Sequence, residues 1–129
     1  MEYTVIINGR SYDLPKKTVS VMEKMDSILK IDSCRMKARQ KFEKMHEFVK
    51  DMIGEENAKE AFGTDNLEEM DMSELAITVL KMNDAYNQPL TDYKIEKMRA
   101  TMNSMQTDKI AALANSASAI ANMNGVSNA

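Results

Sequence analysis

The sequence predicts a mainly α fold in which an N-terminal β-hairpin is followed by about five helices and a low-complexity C-terminal tail. Three observations predict it. Helix breakers are sparse, with four Gly and two Pro in 129 residues. Asn8-Gly9 sits between two short β-type runs. From Val21 to Met105 the apolar residues return at helical spacing.

Tyr3-Thr4-Val5-Ile6-Ile7 is β-branched and aromatic, and Arg10-Ser11-Tyr12-Asp13-Leu14 alternates with Tyr12 and Leu14 on one face. Asn-Gly between them suits a type I′ turn, because both central residues need positive φ. The hairpin therefore spans 1–14, and Pro15 ends its second strand. A lone hairpin is marginal and must pack on helices or pair with another strand.

Thr18 or Ser20 can cap the first helix, and Ser20 with Glu23 has capping-box spacing. Val21, Met22, Met25, Ile28 and Leu29 form its apolar stripe. Asp32 or Ser33 can start a second helix, in which Ala38, Phe42, Met45, Val49, Met52 and Ile53 share a face and Gly54 ends the run. A short helix follows from Glu55 to Phe62, then Gly63 and an acidic connector to Asp71 that carries Leu67 and Met70. Asp71 with Glu74 opens another helix, apolar on more than one side through Leu75, Ile77, Val79, Leu80, Met82 and Tyr86, which predicts a central place in the core. Pro89 is expected to stop it, and Thr91 or Asp92 to cap a last helix with Ile95, Met98, Met102 and Met105 in register. These elements make a single helical domain over 1–108. From 109 to 129 the chain is mostly Ala, Ser and Asn, with Ile110, Leu113, Ala117, Ile120 and Met123 still at helical spacing, so it reads as a weak helix extension or a flexible tail.

Composition narrows the function. Thirteen residues are Met, while Trp is absent and His and Cys occur once each. Methionine is unbranched and polarizable, and lets a surface repack against different partners. Enzymes draw mainly on His, Cys and clustered acid–base groups, so an enzyme is not expected. A net charge of −3 disfavours nucleic-acid binding, which uses a basic excess. No signal peptide and no apolar run of membrane-spanning length is read. The charge is segregated: 16–50 holds ten basic and five acidic residues, whereas 51–74 holds nine acidic and one basic. Such halves can form two solvated faces, pair within the fold, meet two partners or drive self-association into a homo-oligomer.

No constellation of reactive groups stands out. His46 lacks the second His of a zinc motif, with Lys50 at that position, and reads as a surface residue. Cys34 has no base nearby and reads as a structural or idle thiol. The acidic stretch from Glu55 to Asp71 does not match a calcium loop, and no phosphate-binding glycine loop occurs. No catalytic residue, metal or cofactor is expected. The basic residues Arg35, Lys37, Arg39, Lys41 and Lys44 scatter around their helix. A Met stripe such as Met98, Met102 and Met105 ordinarily fills a core, but the methionine excess shifts the reading toward partner binding. The expected contact residues are Met98, Met102 and Met105 with Ile110 and Leu113 beyond them.

The order of three segments, INGRSYDLPKKT from Ile7, MIGEENAKEAFGTDNLEEMDM from Met52 and KMNDAYNQPL from Lys81, resembles the tail assembly chaperones of long-tailed phages and prophages of Gram-positive bacteria. The resemblance covers about 1–90 and has no active-site signature. It implies a small, mainly helical protein with an N-terminal β element, working in the host cytoplasm and absent from the mature virion. The implied role is to coat the tape-measure protein, keep it soluble and recruit tail-tube subunits. A longer frameshifted form often accompanies such proteins. A different small acidic adaptor, a secretion-type chaperone or a helical nucleic-acid-binding regulator are the alternative readings.

Overall fold

The computed structural model describes residues 1–108, with side chains through Ser104. The expected extension or tail over 109–129, with Ile110 and Leu113, lies outside the described residues. The order is β1 (Tyr3–Ile7), β2 (Arg10–Leu14), α1 (Val19–Leu29), a 3-10 turn (Ile31–Ser33), α2 (Ala38–Ile53), α3 (Glu55–Phe62), a second 3-10 turn (Leu67–Glu69) and α4 (Met72–Asp108). A mainly helical chain behind an N-terminal hairpin is therefore what forms. It divides into two units, Met1–Gln88 and Pro89–Ala129.

In the first unit β1 and β2 pair antiparallel, with Val5 opposite Tyr12 and Ile7 opposite Arg10. Asn8 at φ 50° and Gly9 at φ 80° give the turn its two positive dihedrals. Alternation buries Val5, Ile7, Tyr12 and Leu14 on one face. The hairpin docks on α3. Asn8 Nδ2 donates to the Ala61 carbonyl at 2.6 Å, satisfying a helix-end acceptor, and Tyr12 Oη donates to Glu60 Oε1 at 2.9 Å. Arg10 pairs with the other oxygen of Glu60 at 2.9 Å. The Tyr12 hydroxyl first, and the Arg10 guanidinium second, hold the Glu60 carboxyl below its ordinary range.

Thr18 caps α1, its hydroxyl accepting from the Val21 N–H at 3.2 Å. The helix expected to restart at Asp32 or Ser33 starts instead at Ala38. Ser33 Oγ donates back to the Lys30 carbonyl at 2.7 Å within the 3-10 turn, and Cys34 and Lys37 are extended, so no α-helix can propagate through them. The Gln40 side chain accepts from the Lys37 N–H at 3.3 Å and covers the new N-terminus. Gly54 and Gly63 then close α2 and α3 with positive φ.

Asp71 caps α4, with Oδ1 accepting from Ser73 N–H at 2.8 Å and Glu74 N–H at 3.1 Å. Leu75, Val79, Met82 and Tyr86 are buried as one stripe, together with Met25, Phe48, Val49, Met52 and Met70. Five of the methionines, Met25, Met45, Met52, Met70 and Met82, thus fill core space. This stripe gives α4 its central place in the core, but not all of its apolar residues take part: Ile77 and Leu80 are 50% and 53% exposed. At about 100° per residue, Ile77 stands roughly 200° round the helix from Leu75, so it cannot share the core stripe.

The stop expected at Pro89 does not occur either, and no new helix is capped by Thr91 or Asp92, because α4 runs unbroken from Met72 to Asp108. Proline removes the N–H that would reach the Ala85 carbonyl and crowds the preceding turn. That turn is held from outside. Lys17 Nζ donates to the Tyr86 carbonyl at 3.0 Å, and Tyr86 Oη donates to the Pro15 carbonyl at 2.7 Å. The Tyr3 ring packs 4.9 Å from the Tyr86 ring, and burial pushes the Tyr86 phenol up to about 12. Tertiary anchoring thereby offsets a local helix-breaking preference. Among the described residues no helix is long and apolar enough to cross a membrane.

Candidate partner-binding surface

The second unit is described as one helical stretch, Pro89 to Asp108. The residues after Pro89 through Ser104 are all exposed. Five of them are large and apolar: Leu90 is 51% exposed, Tyr93 57%, Ile95 43%, Met98 61% and Met102 58%. Helical spacing puts Thr91, Ile95, Met98 and Met102 on one side, and Leu90 and Tyr93 on another. Charged residues stand between them: Asp92, Lys94, Glu96, Lys97 and Arg99. Scattered exposed apolar side chains are ordinary on a protein surface. Ile95, Met98 and Met102 differ in forming an exposed apolar row along one side of the helix.

Of the five expected contact residues, Met98 and Met102 are brought together on this strip. They are not core filler. Met105 lies on the same helix beyond the described side chains, and Ile110 and Leu113 lie outside the described residues. Ile95, Leu90 and Tyr93 join the surface without having been singled out. Ile95 was already in register with the methionines, so its place could be read from spacing; Leu90 and Tyr93 carried no such signal.

The placement of His46 differs from expectation. It is buried, 4% exposed, on the core side of α2. Its Nε2 lies 3.6 Å from Asp65 Oδ1, close enough to feel the carboxylate but beyond hydrogen-bond reach, and has no hydrogen-bond partner. The spacing of Phe42, His46, Val49 and Ile53 is a helical stripe, which is why the imidazole turns inward. Burial lowers the His46 pKa, the Lys50 ammonium lowers it further, and Asp65 and Glu47 pull the other way. The two oppositely charged stretches meet where Arg39 of α2 pairs with Glu68 of the second 3-10 turn, and again where His46 and Lys50 of α2 lie near Asp65.

Cys34 is exposed and its Sγ rests 3.8 Å from the Lys30 carbonyl. It borders an open groove of about 440 Å³ between α1 and α2, whose apolar lining includes Ile28, Ile31, Met36 and Phe48. Among the described residues no three His, Cys, Asp or Glu side chains converge as a metal site would need. The geometry offers exposed apolar side chains on distal α4 and surface ion pairs such as Arg10–Glu60 and Arg39–Glu68. Comparison with family models, with curated proteins and with solved structures finds no match.

Proposed function

We propose that this chain is a non-enzymatic assembly chaperone that binds exposed apolar helices of a larger partner through the distal part of α4. The observation that carries the reading is the exposed row Ile95, Met98 and Met102 on a helix that buries none of its described side chains beyond Pro89. Methionine side chains adapt to different apolar partners at low cost, and repeated weak contacts along a long partner sum to avidity. A long helical chain awaiting assembly exposes such stripes and aggregates unless they are covered. In keeping with the resemblance in the first 90 or so residues, the partner is the phage tape-measure protein, with tail-tube subunits recruited afterwards, in the host cytoplasm and not in the finished virion.

The test is co-expression with the tape-measure protein of the same tail cluster, reading the fraction that stays in the supernatant and the chains that co-purify. The native chain should hold the tape-measure protein in solution. Met98→Gln, Met102→Gln and Met105→Gln together should lower that fraction severalfold, with far-UV circular dichroism in dilute solution matching that of the native chain. Equal solubilisation by the triple variant sinks the contact surface. Recovery of a secreted substrate or of nucleic acid in place of a tail protein sinks the assignment.

A further inference from the structure

We infer that the strip on distal α4 is covered by a second copy of this chain, with the two helices packed antiparallel. Thr91, Ile95, Met98 and Met102 follow one another at steps of four, three and four, the spacing of a two-stranded coiled-coil seam. Ile95, Met98 and Met102 are all exposed along it. Charge order names the occupant. Asp92 and Arg99 flank the seam on one side, and Lys94 and Thr101 flank it on the other.

In a parallel pair, residues from opposite flanks meet, and Lys94 of each copy would face Arg99 of the other. That places two cation–cation contacts beside a short seam. In an antiparallel pair, residues of the same flank meet. Asp92 then faces Arg99 twice, and Lys94 faces the neutral Thr101. The apolar layers agree: Ile95 packs on Met98 of the other copy, Thr91 on its Met102, and the two-fold axis repeats both contacts. The interface is isologous and closes at two copies. It does not depend on the chaperone reading. If that reading holds, a partner helix displaces one copy from the other, so self-pairing keeps the strip covered until assembly.

Sedimentation velocity on the full chain, from roughly micromolar to a few hundred micromolar, tests this. A monomer–dimer equilibrium is expected. Ile95→Gln with Met98→Gln should leave only monomer, with far-UV circular dichroism at the lowest concentration matching the native monomer. Arg99→Asp turns two attractive contacts into repulsive ones and should weaken the dimer by roughly tenfold. Adding Asp92→Arg to Arg99→Asp should restore the native affinity. A tighter dimer with Arg99→Asp would mean a parallel pair and overturn the proposal, because the introduced carboxylate would then face Lys94. A native chain that stays monomeric throughout, or a dimer indifferent to the Ile95 and Met98 changes, overturns it as well. These readouts involve no tail protein, so they fail or succeed separately from the proposed function.

Discussion

His46 combines burial with an unpartnered ring nitrogen, and the sign of its effect on stability follows. Its folded pKa lies below the ordinary 6.5, chiefly through burial, with Lys50 acting in the same direction and Asp65 and Glu47 opposing. The unfolded chain therefore binds a proton near pH 6.5 that the folded chain refuses. Stability is flat above that value and declines as pH falls through it toward the folded pKa, at up to about 1.4 kcal/mol per pH unit. The urea midpoint of the native chain should drop between pH 7 and pH 5.5, and His46→Leu should flatten the slope over that interval. An unchanged slope in the variant would assign the acid sensitivity elsewhere. Asp65→Asn should steepen the loss, since it removes a group that favours the imidazolium. The inward position of His46 was legible in its spacing with Phe42, Val49 and Ile53. Its charged neighbours Glu47 and Lys50 pointed the other way, because sequence adjacency on a helix says little about which face a residue occupies.

At the scale of elements, boundaries set by local chemistry were legible and boundaries set by packing were not. Asn8-Gly9, Gly54, Gly63 and Asp71 act through positive φ or a side-chain cap, and each does so at its own position. The start of α2 depends on how residues 31–37 are consumed by a 3-10 turn and extended chain, which no single residue announces. Pro89 is the clearest case. Its ordinary cost inside a helix is about 3 kcal/mol relative to Ala, yet α4 continues through it. The turn before it is pinned by Tyr86 and by Lys17 on the Tyr86 carbonyl. Pro89→Ala restores an N–H for the Ala85 carbonyl while freeing the unfolded chain, so a net gain of about 1–2 kcal/mol is expected. Chemical denaturation should show the gain as a higher midpoint at constant slope. A loss of stability would mean that the proline geometry itself lets Lys17 reach the Tyr86 carbonyl.

The molecule as a whole carries one helix through two units of very different support. Up to Tyr86, α4 contributes Leu75, Val79, Met82 and Tyr86 to a core that also buries the hairpin face and much of α2. Beyond Pro89 no described side chain is buried. An isolated helix of about 20 residues is marginal in water, and most helical stability in proteins comes from packing. Amide exchange should therefore split α4. Amides near Leu75 to Tyr86 should open only with global unfolding and be insensitive to protein concentration. Amides from Ile95 to Met102 should exchange by local opening in dilute solution, orders of magnitude faster. A second copy on the strip makes that protection concentration-dependent, because dimer formation stabilises only the packed form. Slowing of the distal amides on raising the concentration, abolished by Ile95→Gln with Met98→Gln and unaccompanied by change near Tyr86, is the expected pattern. Uniform protection along all of α4 at every concentration would mean that the distal stretch draws its stability from within the chain, and the strip would then have no need of a second copy.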